Sequence, residues 1–207
     1  MSEKQLVNAG REGAILYLSR LLSFSLKGDP RPVAEAIVSR YGSIDLAASA
    51  PVSELVTLSG MTESAAILLH ITMALTSRRI TDAFPIGRAV TVSELEHFLI
   101  GLFLGLSVET VYIISFDKKG RVIACDFMGE GTVSSSDVYP RRLLECAVKR
   151  GASSVIIAHN HPRSAPFASD DDVVATNRLF SVFKSAGIRL TDHYVVAERE
   201  LTTVPMG

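Results

Sequence analysis

SVIIAHNHP, residues 154–162, is the segment from which the rest of this 207-residue sequence is best understood. Residues 154–158 have the short, apolar and β-branched composition of a buried strand, and Pro162 ends the strand pairing. Because side chains alternate between the two faces of a strand, His159 and His161 project to the same side while Asn160 points away. Two imidazoles can therefore converge on one metal ion.

A carboxylate follows this segment at a position that suits a third ligand. Residues 169–186 predict a helix that ends at Gly187, and its first turn holds Ser169 and Asp172. Hydrolytic zinc sites take three nitrogen or oxygen ligands from the protein and leave a fourth position for water. If the loop over residues 163–168 returns to the strand end, Asp172 is the best candidate ligand. The Ser169-x-x-Asp172 pattern is also typical of an N-terminal helix cap, and both roles stay open.

A metal site needs a base to take a proton from water before it can hydrolyse a substrate. Glu109, at the entry to a strand predicted over residues 111–116, is a plausible base. Ser169 can offer its hydroxyl to the charge that develops on a carbonyl oxygen. Each assignment has an ordinary alternative, with Glu109 as a solvated strand end and the histidine pair as hydrogen-bonded core residues. Asp170 and Asp171 are expected to be partners of the helix dipole.

The other potential ligands lack partners at ligand spacing. His70 and His97 lie in predicted helices with no acidic residue or cysteine at that spacing, which indicates structural or surface roles. Cys125 and Cys146 have neither metal spacing nor a paired base, so we expect buried thiols. Two cysteines are also too few for a disulfide framework.

The pattern around the segment predicts a chain of two domains joined by a linker. Residues 1–80 carry only helical signals, over 13–25, 32–41, 43–49, 52–58 and 63–79. Asp82, Pro85 and Gly87 mark the linker, residues 81–89. In the second domain, residues 90–207, strands are predicted at 111–116, 121–127, 154–158, 188–197 and 201–204, with helices at 93–104, 140–150 and 169–186. Ser93 and Glu96 have the spacing of a capping box for the first of these helices.

These signals predict an α/β (α+β) fold, in which a mixed β-sheet domain flanked by helices follows a small all-helical domain. The composition, with 47% hydrophobic and 21% charged residues and a net charge of -1, is that of a globular protein. Residues 1–80 hold 8 basic and 7 acidic side chains, so no basic arm indicates nucleic-acid binding. Every apolar run is interrupted and no export leader is evident, so we expect a cytoplasmic protein with no membrane insertion.

The combined motif resembles a known signature. Glu109, His159-x-His161, seven further residues and then Ser169-x-x-Asp172 match the JAMM (MPN+) metalloprotease signature in composition and spacing. Residues 131–133, 136, 138–141 and 159–162 resemble segments of the bacterial RadC family, which is named for DNA repair. Residues 14–80 resemble the helical N-terminal region of that family, which contains a helix-hairpin-helix, and residues 192–196 resemble its closing strand.

This resemblance implies a zinc ion held by His159, His161 and Asp172, with Glu109 activating the water and Ser169 assisting the oxyanion. Because JAMM proteins cleave peptide or isopeptide bonds, it implies a metallopeptidase-type hydrolase whose partner is a peptide or protein substrate. The alternative is a DNA-associated binding or scaffold protein, linked to repair or recombination, whose metal domain is structural.

Three departures from the family pattern bear on substrate, packing and DNA. Pro162-Arg163-Ser164 stands where Pro-Ser-Gly is common, which adds a cation and indicates an acidic or carboxylate-bearing substrate. Arg142 replaces an acidic residue that is distant from the ligands in sequence, so it bears on packing. Gly60-Met61-Thr62 replaces Gly-Ile-Gly in the hairpin, and a β-branched residue there disfavours close approach of backbone amides to phosphate. We therefore expect weak or no DNA binding through the helical domain.

Overall fold

The structure of the chain is a computed structural model, which describes residues 10–131, 138–162, 165–197 and 199–206. Residues 132–133, 136 and 163–164, which the sequence analysis singled out, lie outside the described residues. The chain divides into two units, Met1–Arg78 with Leu104–Ser107 and Arg79–Phe103 with Val108–Gly207. We call the first the helical unit and the second the sheet unit.

The helices of the first unit keep the predicted order, but several end away from the predicted residues, and the last extends to Asp82, inside the predicted linker. They are α1 (Gly10–Leu22), α2 (Arg31–Tyr41), α3 (Ile44–Ala48), α4 (Val52–Leu55) and α5 (Glu63–Asp82), whose last residues belong to the sheet unit. Gly42, at a φ of 78°, ends α2, a backbone conformation that glycine adopts without strain. The largest fully buried side chains of the core are Leu18, Leu22, Ile37, Leu55 and Leu69. No described helix is both long and apolar enough to cross a bilayer.

Side-chain caps fix where two of these helices start. Ser43 Oγ accepts the Leu46 N–H at 3.1 Å before α3, and Thr62 Oγ1 accepts the Ala65 N–H at 3.2 Å before α5. Each cap satisfies one of the backbone donors that a helix N-terminus leaves free. Thr62, which stands where the family hairpin carries glycine, is thus a helix cap.

The sheet unit is built from three helices and five strands in its described part. In chain order these are α6 (Val92–Phe103), β1 (Thr110–Phe116), β2 (Val122–Glu130), α7 (Val138–Arg150), β3 (Ser154–Asn160), α8 (Asp170–Ser185), β4 (Arg189–Ala197) and β5 (Glu200–Thr203). The strand order is β2-β1-β3-β4-β5, in which β3 and β4 are parallel and every other pair is antiparallel. This arrangement confirms the predicted mixed sheet flanked by helices.

Alternation along the strands gives the sheet two apolar faces. One face packs against α7 and α8 in a core that includes Val111, Ile157, Leu143, Leu179 and Phe183. On the other face lies α6, whose Phe103 ring meets the Tyr112 ring edge-on with centroids 5.6 Å apart. The parallel pair β3 and β4 needs a crossover connection, and its helix α8 covers one face, while α6 covers the other.

The start of α6 differs from the sequence prediction. Ser93 and Glu96 were expected to form the capping box, but the reciprocal hydrogen bonds join Thr91 and Glu94. The Glu94 N–H donates to Thr91 Oγ1 at 3.2 Å, and the Thr91 N–H donates to Glu94 Oε2 at 2.9 Å. Arg88 also pairs with Glu94 at 2.6 Å. The same cap pattern occurs two residues earlier in the sequence, and the charge of Arg88 selects that register.

Candidate metal centre

The centre lies where β3 ends and α8 begins. His159 is the second-last residue of β3 and pairs with Val195 of β4. The His161 N–H donates to Val196 O at 2.9 Å, which extends the strand geometry beyond Asn160. Asp172 lies in the first turn of α8 and is 5% exposed. The residues predicted to be ligands from the sequence are therefore neighbours in space.

The two imidazoles and the Asp172 carboxylate lie close together. His159 Nε2 and His161 Nε2 are 3.0 Å apart, and His159 Nε2 lies 3.1 Å from Asp172 Oδ1. His161 Nε2 lies 3.4 Å from Asp172 Oδ2. Ligands about 2.0–2.1 Å from a tetrahedral zinc ion are about 3.3 Å from one another. The donors are of the kinds that zinc takes, and each oxygen of Asp172 lies near one imidazole nitrogen.

Glu109 lies beside the two imidazoles. Its carboxylate and the ligand atoms of His159 and His161 all lie within 4.8 Å of one another, and this group could hold a metal ion. The Glu109 charge also acts on Tyr139, since burial first and then this carboxylate raise the pKa of the Tyr139 hydroxyl. Glu109 is thus placed either to accept a proton from water at the centre or to bind an ion itself.

Asn160 holds the backbone on both sides of Glu109, a role that the sequence analysis missed. Its Oδ1 accepts the Thr110 N–H at 2.7 Å, and its Nδ2 donates to Val108 O at 3.2 Å. Asn160 is 4% exposed, so these bonds satisfy a side chain that would otherwise be buried without partners. The sequence did contain a signal for this role. Asn160 is a polar residue in a buried strand, on the face opposite the two histidines, so its amide needed hydrogen-bond partners on that face.

Ser169 and Asp172 form the helix cap that the sequence left open. Ser169 Oγ accepts the Asp172 N–H at 3.1 Å, and both the N–H and the hydroxyl of Ser169 donate to Asp172 Oδ2, at 2.8 and 2.6 Å. These bonds engage Oδ2 and leave Oδ1 facing His159. The cap thus orients the carboxylate toward the imidazoles, and its role as a ligand stays a prediction.

The electrostatics favour charge separation at the centre. Burial alone would raise the pKa of Asp172, but contacts with His159, His161 and Ser169 outweigh it and hold that pKa well below its usual range. The Asp172 carboxylate raises the pKa of His161, against the effect of burial, and Glu109 adds to the rise. A cluster with two carboxylates around two imidazoles attracts positive charge.

Thr176 and His193 form a second buried pair behind His159, and the sequence predicted no role for either residue. His159 Nδ1 is 2.9 Å from His193 Nε2, and His193 Nδ1 is 2.6 Å from Thr176 Oγ1. The Thr176 hydroxyl donates to Asp172 O at 2.6 Å. Burial lowers the pKa of His193 to about 3, and the neighbouring His159 adds to this effect. In the sequence, Thr176 follows Asp172 by one helical turn, and this spacing indicates that the two residues are neighbours on one helix face.

The remaining sequence candidates have ordinary surroundings. His70 Nε2 lies 2.9 Å from Ala50 O, in line with its predicted structural role. Cys125 and Cys146 are free and half-buried, whereas the sequence predicted buried thiols. Cys146 Sγ donates to Asp126 Oδ2 at 3.5 Å, which holds it toward the sheet edge where solvent reaches it. Burial raises the pKa of Cys125 to about 12.

Comparisons with known proteins agree with this architecture. The family model described as the RadC-like JAB domain matches residues 89–204. A UPF0758 protein of Finegoldia magna is 32% identical over 150 residues, which cover 72% of this chain and 66% of that protein. A UPF0758 protein of Herminiimonas arsenicoxydans is 30% identical over 166 residues, 80% of this chain and 74% of the relative. This chain therefore belongs to the RadC-like JAB domain family.

Proposed function

We propose that this chain is a zinc-dependent hydrolase of the metallopeptidase type, which acts on a peptide or isopeptide bond in the cytoplasm. The observation that carries the proposal is the convergence of three side chains: His159 and His161 Nε2 are 3.0 Å apart and lie 3.1 and 3.4 Å from Asp172 Oδ1 and Oδ2 respectively. The Glu109 carboxylate lies beside them. Three protein ligands with a carboxylate base nearby are the usual composition of a hydrolytic zinc site.

Each residue of the centre has a distinct task in this proposal. A zinc ion held by His159, His161 and Asp172 would supply a Lewis acid that lowers the pKa of water. Glu109 takes a proton from the attacking water as the oxygen–carbon bond forms. It then gives that proton to the leaving nitrogen as the carbon–nitrogen bond breaks, so Glu109 ends the cycle in its starting state.

Ser169 has two tasks that compete for one hydroxyl proton. In the structure this proton is directed to Asp172 Oδ2 at 2.6 Å. To stabilise an oxyanion, the hydroxyl turns from Asp172 toward the carbonyl oxygen of the substrate. The Ser169 N–H keeps its own bond to Oδ2 at 2.8 Å, so Asp172 stays oriented while the hydroxyl moves.

The metal content of the purified chain is the first test. Elemental mass spectrometry of protein purified without added metal or chelator should find about one zinc per chain in the wild type and much less in His161→Ala. His70→Ala, which removes a histidine from the helical unit, is the matched control and should keep its zinc. Wild-type protein without a stoichiometric metal would contradict the proposal.

The role of Glu109 is tested separately from metal binding. Linear and isopeptide-branched peptide libraries, with cleavage read by mass spectrometry, serve as probes. Glu109→Gln should keep the metal and lose about 100-fold or more of the hydrolysis rate, because a positioned base contributes about 10²–10⁴-fold. Full hydrolysis by zinc-loaded Glu109→Gln would remove Glu109 from the mechanism.

The rival hypothesis, a DNA-associated binding or scaffold protein, is addressed by the hairpin before α5. Thr62 Oγ1 accepts the Ala65 N–H, so this amide is already satisfied and does not face a phosphate. We therefore propose weak or no DNA binding through the helical unit. Fluorescence anisotropy of the full chain with branched and single-stranded DNA at low salt should give little signal. Strong binding that weakens steeply with added salt would instead favour the rival hypothesis.

A further inference from the structure

The buried pair behind His159 forms a hydrogen-bonded chain whose proton positions can be counted. The chain runs from Asp172 O through the Thr176 hydroxyl and the His193 ring to His159 Nδ1, over distances of 2.6, 2.6 and 2.9 Å. His159, Thr176 and His193 are all 0% exposed, so water does not complete any of these bonds. Each proton must therefore be assigned within the chain.

The direction of the chain is set at its Asp172 end. A backbone carbonyl only accepts, so Asp172 O takes the single hydroxyl proton of Thr176. Thr176 Oγ1 then accepts from His193 Nδ1, which must carry a proton. A neutral imidazole has one N–H, so His193 Nε2 is an acceptor and His159 Nδ1 donates to it. His193 is completely buried, and burial favours the neutral form of its ring.

The last step concerns the face of His159 that points to the metal centre. With its proton on Nδ1, neutral His159 presents a bare lone pair at Nε2, the form in which imidazole binds metals. That lone pair faces Asp172 Oδ1 at 3.1 Å. His161 Nε2 lies 3.0 Å from His159 Nε2, so the donor atoms of the three residues converge at the position that a cation would take.

We propose that His193, anchored by Thr176, is a positioning residue that fixes the tautomer of His159 and directs its Nε2 lone pair into the centre. This inference rests on the proposed function for its metal, but the tautomer itself is a property of the metal-free chain. The side chains reach one another because β3 and β4 are parallel neighbours, with His159 opposite Val195 and His193 two residues before it on the same face.

The tautomer is tested in the metal-free wild-type chain. Long-range ¹⁵N–¹H correlation spectra of histidine-labelled protein, after removal of metal, distinguish protonated from bare ring nitrogens. We expect His159 and His193 each to carry its proton on Nδ1. A proton on Nε2 of either ring overturns the proposal, and this measurement needs no variant to fold.

Zinc affinity tests the consequence in paired variants. Thr176→Val removes the acceptor and frees His193 to place its proton on Nε2, which forces His159 to protonate on the metal side. Competition between the protein and a chelator for Zn²⁺ should show affinity reduced about 10–100-fold in Thr176→Val. Thr176→Ser keeps the hydroxyl and should retain wild-type affinity and the wild-type tautomer.

The outcomes separate this inference from the proposed function. Equal zinc affinity in the wild type and in folded Thr176→Val would overturn the positioning role while leaving the metal site intact. A wild-type chain that binds no zinc would contradict the proposed function, and the spectra of the metal-free chain would still decide the tautomer. If Thr176→Ser loses affinity as far as Thr176→Val does, packing and not the hydroxyl is responsible, and the proposal fails.

Discussion

The helical unit and the sheet unit bury different kinds of side chain. Among the described residues, two buried side chains of the helical unit are polar or charged, Asp45 and Ser49, against eight in the sheet unit. Six of those eight surround the same end of β3, and these are Thr110, His159, Asn160, Asp172, Thr176 and His193. The helical core is otherwise built from leucine, isoleucine, valine, alanine and methionine.

The difference shows where this chain accepts a cost in stability. An apolar core needs only shape and volume, whereas each buried polar group has to replace the hydrogen bonds that it made to water. The sheet unit meets that cost at one place, where nearly every polar atom of six neighbouring residues has a partner. A concentration of this kind is expected at a site for chemistry rather than in a core selected for stability.

The largest expected effect comes from the apolar core of the sheet unit, where a substitution tests whether packing and the metal centre are independent. Phe183, a residue of α8, is fully buried in the core that α7 and α8 form with the sheet, and Phe183→Ala should reduce the free energy of unfolding by about 3–5 kcal/mol. Because the Phe183 side chain makes no hydrogen bond to the metal centre, the folded variant should keep the metal content of the wild type. Urea denaturation and elemental analysis check both parts, and loss of metal from the folded variant would show that packing and site are not separable.

The clamp on the Glu109 backbone is expected to have the next largest effect. Asn160→Ala leaves the buried Thr110 N–H without its acceptor, whereas Val108 O loses one of two donors and keeps the Thr110 hydroxyl. We expect a loss of about 1–3 kcal/mol in the free energy of unfolding, measured in urea. Ser181→Ala on the exposed face of α8 is the control and should stay within about 0.5 kcal/mol of wild type. Equal values for the two variants would contradict the clamp.

In the helical unit, Ser43 acts at a helix end, so the effect of its loss should be smaller. Ser43→Ala removes the cap of α3 and should cost about 1 kcal/mol of unfolding free energy. Ser43→Asp restores an acceptor at the same place and should recover most of the loss. Thermal unfolding of the three proteins side by side is sufficient, and a Ser43→Ala protein as stable as wild type would show that α3 is held by packing alone.

The smallest expected effect is a pH dependence at the edge of the sheet. Hydrogen bonds from Arg150 lower the pKa of Asp126 in the folded chain. A lowered folded pKa means that the pair stabilises the fold above the unfolded pKa of about 3.9 and that this contribution disappears as the pH falls through the folded value. Asp126→Asn should therefore flatten the acid side of the stability profile slightly. An unchanged profile below pH 5 would remove the pair from the acid response.

Several elements were predictable because their signals are local. The hairpin at residues 117–120 follows from its turn: Asp117 Oδ1 accepts the N–H groups of Lys119 and Arg121, and Gly120 adopts a φ of 72°. The strand and the helix around His159 and Asp172 followed from alternation and from the cap pattern. The cap of α6 was misplaced because two overlapping Ser/Thr-x-x-Glu patterns compete, and only the position of Arg88 distinguishes them.

The sequence by itself determined the order of the elements, the mixed sheet and the proximity of His159, His161 and Asp172, because strand alternation, helix caps and motif spacing act over a few positions. Only the tertiary structure decided how that centre is supported. Asn160 reaches Val108 and Thr110 across the sheet, and His193 reaches His159 from a parallel strand that follows an entire helix. These contacts join residues far apart in the chain, and their partners are fixed by sheet register, which no local pattern of the sequence records.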